Sequence, residues 1–341
     1  MQDFDEYIRQ AEPTKHNKGA IWKTAIGLQR TDGLATSSYL LEVARQNIEG
    51  DISIDEVKYR IDSYYKAQDR KNSIFGDRTE EADKVSARIA EILSEQSFSF
   101  NSVEYVNIHG RLFADIYPFA GKLRDYNITK KEWVLDGATV LYAGSDSIKD
   151  SLEYDFNKEK GFNYKDIGQR QIIEHLAQFI ADIWQIHPFG EGNTRTTAVF
   201  LVKYLHRLGF SHINNGPFIE HSWYFRNALV RANYEHIVNG IHVDNQYLIR
   251  FFENLLFGGK NTLRNRDMHI GYQNDTVNKS FDTVNDIVFT LIQADLEITA
   301  NEISQRSGLS IATVKRRTKQ LKEIGKIRRV GSDKTGHWEI V

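Results

Sequence analysis

Cysteine is absent from all 341 residues. Without a thiol there are no disulfides, no thiolate nucleophile and no zinc–thiolate site, and the compartment is left open by that absence. Proline is nearly absent as well, with four in the chain. Set beside long periodic apolar patterns, that scarcity points to a mainly helical protein. No apolar stretch reaches the length of a membrane span, and the opening Met-Gln-Asp-Phe-Asp-Glu-Tyr has no apolar signal core, so the expected location is the cytoplasm. No His-Glu-x-x-His zinc motif occurs, and the glycine-rich run near residue 190 lacks the lysine and spacing of a P-loop. No internal repeat or low-complexity segment is visible.

What is present is ordinary in bulk and uneven in placement. Apolar residues make up 40% and charged residues 26%, enough for a sizeable core, and the length suggests two or three domains. The net charge of −2 gives no whole-chain drive toward nucleic acid. From Ile298 to Val341, however, ten Lys/Arg face four acids. Such asymmetry hints at separate partners for separate parts.

The densest chemistry lies in His187-Pro-Phe-Gly-Glu-Gly-Asn-Thr-Arg195. Upstream, Ile172, Leu176, Phe179, Ile180 and Ile183 recur at helical spacing, so residues 169–186 read as an amphipathic helix. Pro188 lacks an N–H and should stop that helix near His187. Gly-Glu-Gly-Asn then turns the chain, and Val199, Phe200, Val202, Leu205 and Leu208 begin a second helical pattern. Backbone N–H groups at a helix start have no intrahelical partner, and the dipole favours negative charge there. An imidazole, a carboxylate and an anion nest around one turn are the equipment for metal-assisted phosphate chemistry.

This segment resembles the signature of Fic-domain enzymes, HxFx(D/E)GN(G/K)RxxR, most of which transfer AMP from ATP onto a hydroxyl of a target protein. The resemblance extends upstream to Ile108-His-Gly-Arg-Leu-Phe-Ala-Asp-Ile-Tyr-Pro-Phe-Ala-Gly-Lys-Leu-Arg-Asp-Tyr-Asn-Ile128. Downstream it reaches Trp223-Tyr-Phe-Arg-Asn-Ala-Leu-Val-Arg-Ala-Asn-Tyr234, which is similar to the helix flanking the nucleotide. It implies ATP as substrate, Mg²⁺ as cofactor and His187 as the general base, since a neutral imidazole can take a hydroxyl proton near neutral pH. Glu191 would hold the metal, which prefers one or two carboxylates plus substrate phosphates. Gly190, Glu191, Gly192, Asn193, Thr194 and Arg195 would bind the nucleotide phosphates, with Arg195 offering a planar fork to the distal ones. Asn233 and Tyr234 would line the adenine or ribose pocket, or else serve helix packing. The remaining histidines, His109, His175 and His221 among them, read as structural or exposed.

Two positions depart from the pattern. Thr194 replaces the usual glycine or lysine, and Ala198 replaces the closing arginine. In the family that arginine clamps the terminal phosphate and pairs with an inhibitory glutamate in a (S/T)xxxE(G/N) motif. Asp32-Gly33 and Glu49-Gly50 are the two candidates for that motif, and Leu28 and Arg45 stand where Ser or Thr would. With both halves altered, the expectation is that the front of the chain does not hold the site shut.

The expected fold class is mainly α: a Fic helical core with a β-hairpin flap, a small N-terminal helical module and a C-terminal winged helix-turn-helix domain. Residues 1–70 form the antitoxin-like module, with one helix from Ser37 to Arg45 broken at Gly50 and another over 52–66. Its recognisable pieces are Asp32-Gly-Leu34 and Ile48 to Val57. Residues 71–257 form the core. There Glu132-Trp-Val-Leu-Asp-Gly-Ala-Thr-Val-Leu-Tyr142 reads as a hairpin turning at Asp136-Gly137. The resemblance makes it the flap that receives the target by strand addition, through Trp133, Val134, Leu135, Val140, Leu141 and Tyr142; the other reading is a plain surface hairpin. Residues 258–280 read as a linker and 281–341 as the winged helix domain. It opens with a helix at 281–295; residues 310–323 are its recognition helix, with Ser310 as cap and Lys334 in the wing loop. Lys315, Arg316, Arg317 and Lys319 are its expected contacts to duplex DNA.

The function expected on this reading is protein adenylyl transfer to a Ser, Thr or Tyr hydroxyl, on another protein or on this one. Two alternatives stay open: a DNA-binding regulator with a weak or sensory Fic core, and a Fic enzyme moving another nucleotide or a phosphoryl group. Oligomeric state is also open, a homodimer included.

Overall fold

The computed structural model describes the chain apart from residues 1–3, 10–11, 68–77, 211–212, 272–287, 290, 308–310, 324–325, 332–335 and 341. It divides into two compact units, Met1–His269 and Ile270–Val341. Among the described residues no helix is long and apolar enough to cross a membrane.

In the first unit, α1 (Asp5–Arg9), α2 (Pro13–Gln29), α3 (Ser38–Glu49) and α4 (Ile54–Ala67) precede α5 (Thr79–Ser94) and α6 (Ser102–Phe113). Then come α7 (Ile148–Lys160), α8 (Gln169–Ile186), α9 (Asn193–Arg207), α10 (Gly216–Ala232) and α11 (Gln246–Leu256). The helix bounds follow local signals. Ser37 accepts the Leu40 N–H at the start of α3, Gly50 ends it in the left-handed region, and Asn101 caps α6 through the Glu104 N–H. α8 spans the expected 169–186 and stops at Pro188. α9 is buried on every side from Asn193 to Leu205, so it is the central post of the unit. Phe100, Tyr105, Phe156, Phe179, Phe200 and Tyr204 interlock beside it.

The front of the chain is not a detached module. α2 packs on α5 and α10, and Gly27 lies so close to α10 that a Cβ would sit 2.7 Å from the Ile219 Cα. Only glycine permits that approach.

Two expectations are corrected here. Residues 132–142 turn at Asp136 (φ 53°) and Gly137 (φ 84°) as expected, but no strand ladder follows. Trp133–Leu135 forms a 3-10 turn, and the Glu132 N–H donates to Ala138 O at 2.9 Å to close the loop. Val134, Leu135, Val140 and Tyr142 are buried, leaving Trp133 and Leu141 outward. The flap is therefore a folded loop anchored by its apolar residues, not a two-stranded ribbon. Second, the segment read as a linker packs on the core as far as His269. The Tyr247 hydroxyl donates to Asp267 O, Asn227 donates to Asn265, Met268 is buried, and Trp133 meets His269 edge-on.

The second unit has helical residues at 288–289 and 291–294, then α12 (Ala300–Ser307), α13 (Ile311–Glu323) and the antiparallel strands β1 (Ile327–Val330) and β2 (His337–Ile340), with Ile327 opposite Ile340. Val288, Ile292, Ile298, Ile303, Val314, Leu321, Ile327 and Trp338 form its core. The order is two helices followed by a two-stranded antiparallel sheet. Most of the first helix, the Ser310 cap and Lys334 fall outside the described residues.

Candidate active site

The end of α8 sets the position of His187. Its backbone is left-handed (φ 50°, ψ 58°), and its N–H donates to Trp184 O at 3.0 Å. That conformation costs a non-glycine residue roughly 1–2 kcal/mol, and buried Arg124 offsets it. The Arg124 Nε donates to His187 O at 2.8 Å, its Nη1 to Tyr126 O at 2.6 Å, and its own N–H to Pro188 O at 2.9 Å. The His187 ring rests against Tyr142 and Trp184, and neither ring nitrogen has a hydrogen-bond partner among the described residues. Burial first, and then the charge of Lys130, hold its pKa well below the ordinary histidine value. The imidazole is neutral at neutral pH and can accept a proton.

Each residue of the following turn has a visible mechanical reason. Asn193 staples the loop: its Oδ1 accepts the Phe189 N–H at 3.0 Å and its Nδ2 donates to Phe189 O at 2.8 Å. His109 does the same from α6. Its Nδ1 accepts the Gly121 N–H at 2.9 Å, so the proton sits on Nε2, which donates to Glu191 O at 3.1 Å. Its ring stacks on Phe189, and burial lowers its pKa to about 4. Gly192 has φ 81°, and a Cβ there would lie 2.3 Å from the Phe113 ring. Thr194 accepts the Trp184 indole N–H at 3.1 Å, which fixes the indole beside His187 and gives this departure from the pattern a local purpose. α9 makes its first helical hydrogen bond from the Thr196 N–H to Gly192 O at 3.0 Å. The amides just before it have no helical acceptor, an arrangement that, with the dipole behind it, favours an anion.

These residues open onto a cavity of about 280 Å³. His187, Glu191, Gly192, Asn193 and Thr194 line it, together with Lys130, Arg226, Trp223, Arg78 and Asp32. The Glu191 side chain is 51% exposed, and one of its carboxylate oxygens meets Lys130 Nζ at 3.1 Å. A magnesium ion fits the donor set only with phosphate oxygens completing its shell, since of the two cavity carboxylates Asp32 is taken by buried Arg195, Glu191 is the more exposed, and no cluster of three ligating side chains exists among the described residues.

Arg195 is placed differently from the expectation. It is fully buried, and its fork is filled: Nε lies 2.6 Å from Asp32 Oδ2, Nη1 donates to Gln29 Oε1 at 3.0 Å, and Nη2 donates to Glu81 Oε1 at 2.6 Å. Its Cζ stands 4.7 Å over the Phe113 ring. Burial works against the charge, but Asp32, Tyr117 and Glu81 outweigh it and the pKa is raised. Arg195 thus presents no free fork to a phosphate in this arrangement. The front of the chain does have a cationic partner at the site: Asp32 pairs with Arg195, not with a residue at buried Ala198. Glu49 instead pairs with Lys15 at 2.6 Å on the surface.

Asn233 and Tyr234 do not line the cavity. Asn233 Nδ2 donates to Ala181 O and Leu229 O, both at 3.0 Å, which ties α10 to α8. In the second unit Lys315, Arg316 and Lys319 of α13 are exposed, whereas Arg317 is 5% exposed and turned inward. The residues that sequence reasoning missed are Arg124, Lys130 and Arg226, together with Glu81. Arg124 sits inside the family-like 108–128 segment, which was the available signal. Arg226 likewise sits inside the family-like 223–234 segment, whereas Lys130 and Glu81 meet the motif only through the fold.

Residues 99–205 match the family described as Fic/DOC, and residues 286–328 match winged helix-turn-helix DNA-binding. Among solved structures, the chain is similar to the N-terminal FIC domain of Bep8, a VirB-translocated effector from Bartonella sp. 1-1C. Identity is 17% and the TM-score 0.43, over 57% of this chain and 93% of that one. It is also similar to the N-terminal Fic domain of a Bartonella effector protein from Bartonella sp. AR 15-3, at 19% identity and TM-score 0.40, over 55% and 86%. A Fic family protein from Desulfovibrio desulfuricans G20 aligns over 99% of this chain and 94% of its own, at 14% identity and TM-score 0.41. No curated protein matches the chain.

Proposed function

Since the chain carries a Fic/DOC domain followed by a winged helix-turn-helix domain, we propose that it is a cytoplasmic protein adenylyltransferase using ATP and Mg²⁺. One observation carries the reading: a buried, neutral His187, whose ring nitrogens have no hydrogen-bond partner among the described residues, stands beside a helix N-terminus, four residues before a half-exposed carboxylate. A target Ser, Thr or Tyr hydroxyl attacks the α-phosphorus. Its proton passes to His187, the new O–P bond forms, and the bond to the β-phosphate oxygen breaks as pyrophosphate leaves. The amides at the start of α9 face the charge that changes on the α-phosphate. Glu191 would hold Mg²⁺, which when bound offsets phosphate charge. Trp133 and Leu141, the outward residues of the flap, offer the target an apolar contact.

A second reading has support in the Arg195 contacts: a regulator that binds DNA through α13 and keeps its Fic core closed. Intact-mass measurement of the purified protein after incubation with ATP and Mg²⁺ separates the readings. A gain of one adenylyl group, lost in His187→Ala, supports transfer. A gain of one phosphoryl group instead excludes it.

A further inference from the structure

The cavity has three cationic side chains, Arg78, Lys130 and Arg226, and Arg195 lies just behind it. An ATP-binding site needs at least one of them to reach phosphate, so their present partners decide the matter. Arg195 is held by Asp32 and Glu81. Arg78 spends its fork on the same Glu81, whose side chain is 8% exposed, through two bonds of 2.7 Å. Arg226 grips Glu132, 1% exposed, at 2.7 and 3.0 Å. Pulling Arg226 toward a ligand would strand buried Glu132, which is strongly unfavourable, while pulling Arg78 or Arg195 would break paired charge-assisted bonds at buried Glu81, which only the other arginine and the Tyr117 hydroxyl would then hold. Lys130 differs. Its partner is Glu191, half exposed and the carboxylate best placed to take a divalent cation. When Glu191 turns to such a cation, the ammonium loses its partner without leaving a buried charge behind. Its backbone is fixed meanwhile, because the Lys130 N–H donates to Thr139 Oγ1 at 3.1 Å across the flap. A flexible four-carbon stem on a fixed backbone can redirect its charge within the cavity.

We propose that Lys130 is the phosphate-binding cation of this site, held in reserve by Glu191 and released to the nucleotide's phosphates when Glu191 engages a divalent cation. The proposal rests on the ATP-binding reading above and adds what grips the phosphates when Arg195 is occupied and position 198 is alanine. It also gives the flap a second task, since the residue that contacts the nucleotide and the residues that meet the target share one loop.

Isothermal titration of the full chain with ATP and with adenosine, each with and without Mg²⁺, tests it. Lys130→Ala should weaken ATP binding in Mg²⁺ by tenfold or more and leave adenosine binding within twofold. Lys130→Arg should recover most of the loss. Lys131→Ala, which removes the same charge from the exposed neighbour outside the cavity, should change neither. Glu191→Gln should bind ATP about as well without Mg²⁺ as with it, because Lys130 is then already free. Equal ATP affinity for Lys130→Ala and the parent overturns the proposal and leaves the transferase reading standing. A parent protein that binds no ATP in Mg²⁺ overturns both. Circular dichroism of each variant confirms that the fold being titrated is the same.

Discussion

Asp32 Oδ2 lies 2.6 Å from Arg195 Nε, an ion pair that joins the front of the chain to the first turn of α9. Arg195 is fully buried there, and the Asp32 side chain is 18% exposed at the edge of the cavity. The carboxylate therefore does two things: it stabilises a buried cation, and it puts negative charge where phosphates would enter.

Asp32→Ala should show both effects. Removing one carboxylate from a buried arginine that keeps Glu81 and Gln29 costs about 1–3 kcal/mol, read as a lower Tm. Removing the negative charge should raise ATP affinity about tenfold, or roughly 1.4 kcal/mol, read by titration. Glu49→Ala, whose carboxylate pairs with Lys15 and Tyr7 and does not line the cavity, should leave ATP affinity unchanged. A destabilised Asp32→Ala with parental ATP affinity would reduce the pair to a structural contact.

Gly192→Ala should disable the site. The positive φ and the collision with Phe113 together cost about 2–4 kcal/mol. The main chain can relax only by moving the amides that open α9. Loss of nucleotide binding in a variant whose far-ultraviolet circular dichroism is unchanged is the expected result. Wild-type affinity would mean that Phe113 yields easily.

Stability should fall in mild acid. His109 titrates near 4 in the folded protein against about 6.5 when unfolded. The unfolded state therefore takes up the proton first. Its contribution is complete above pH 6.5 and drains away as pH falls toward 4, on the order of 3 kcal/mol in all. His187, also held below its ordinary value, acts in the same direction. Urea midpoints measured from pH 7.5 to 4.5 should decline, and His109→Gln, which keeps a donor for Glu191 O, should flatten part of that decline.

For the winged unit, replacing Lys315, Arg316 and Lys319 with alanine should weaken duplex binding and lower the salt slope by about 0.9 for each phosphate no longer neutralised. Arg317→Ala should instead lower the thermal stability of residues 270–341, because this arginine faces inward. Identical salt slopes for the triple variant and the parent would remove α13 as the DNA-facing surface.

Much of this architecture is legible where a pattern is local. The 3.6-residue period over 169–186, the stop at Pro188 and the Ser37 and Gly50 signals all act within a few residues, and the structure follows them. α2 is hard to see for a physical reason: from Trp22 to Gln29 it is buried all round, so it shows no polar face and no period. The flap misleads because Asp136-Gly137 does form the turn, while Val134 and Val140 go to the core rather than to a ladder. The Arg195 partners are Gln29, Asp32 and Glu81, more than a hundred residues away in sequence. No spacing rule reaches that far. In the sequence Ala198 reads as the loss of the lock, whereas the fold supplies another cation for it.

If adenylyl transfer runs through His187, ATP labelled separately on its α- and γ-phosphates distinguishes the transferred group. The full chain is incubated with Mg²⁺ and a soluble protein extract as acceptor, and protein-bound label is counted. Label from the α-position should become bound, label from the γ-position should not, and His187→Ala should lower the rate roughly 10²–10⁴-fold. Label from the γ-position, or α-label transferred at an undiminished rate by His187→Ala, would contradict it.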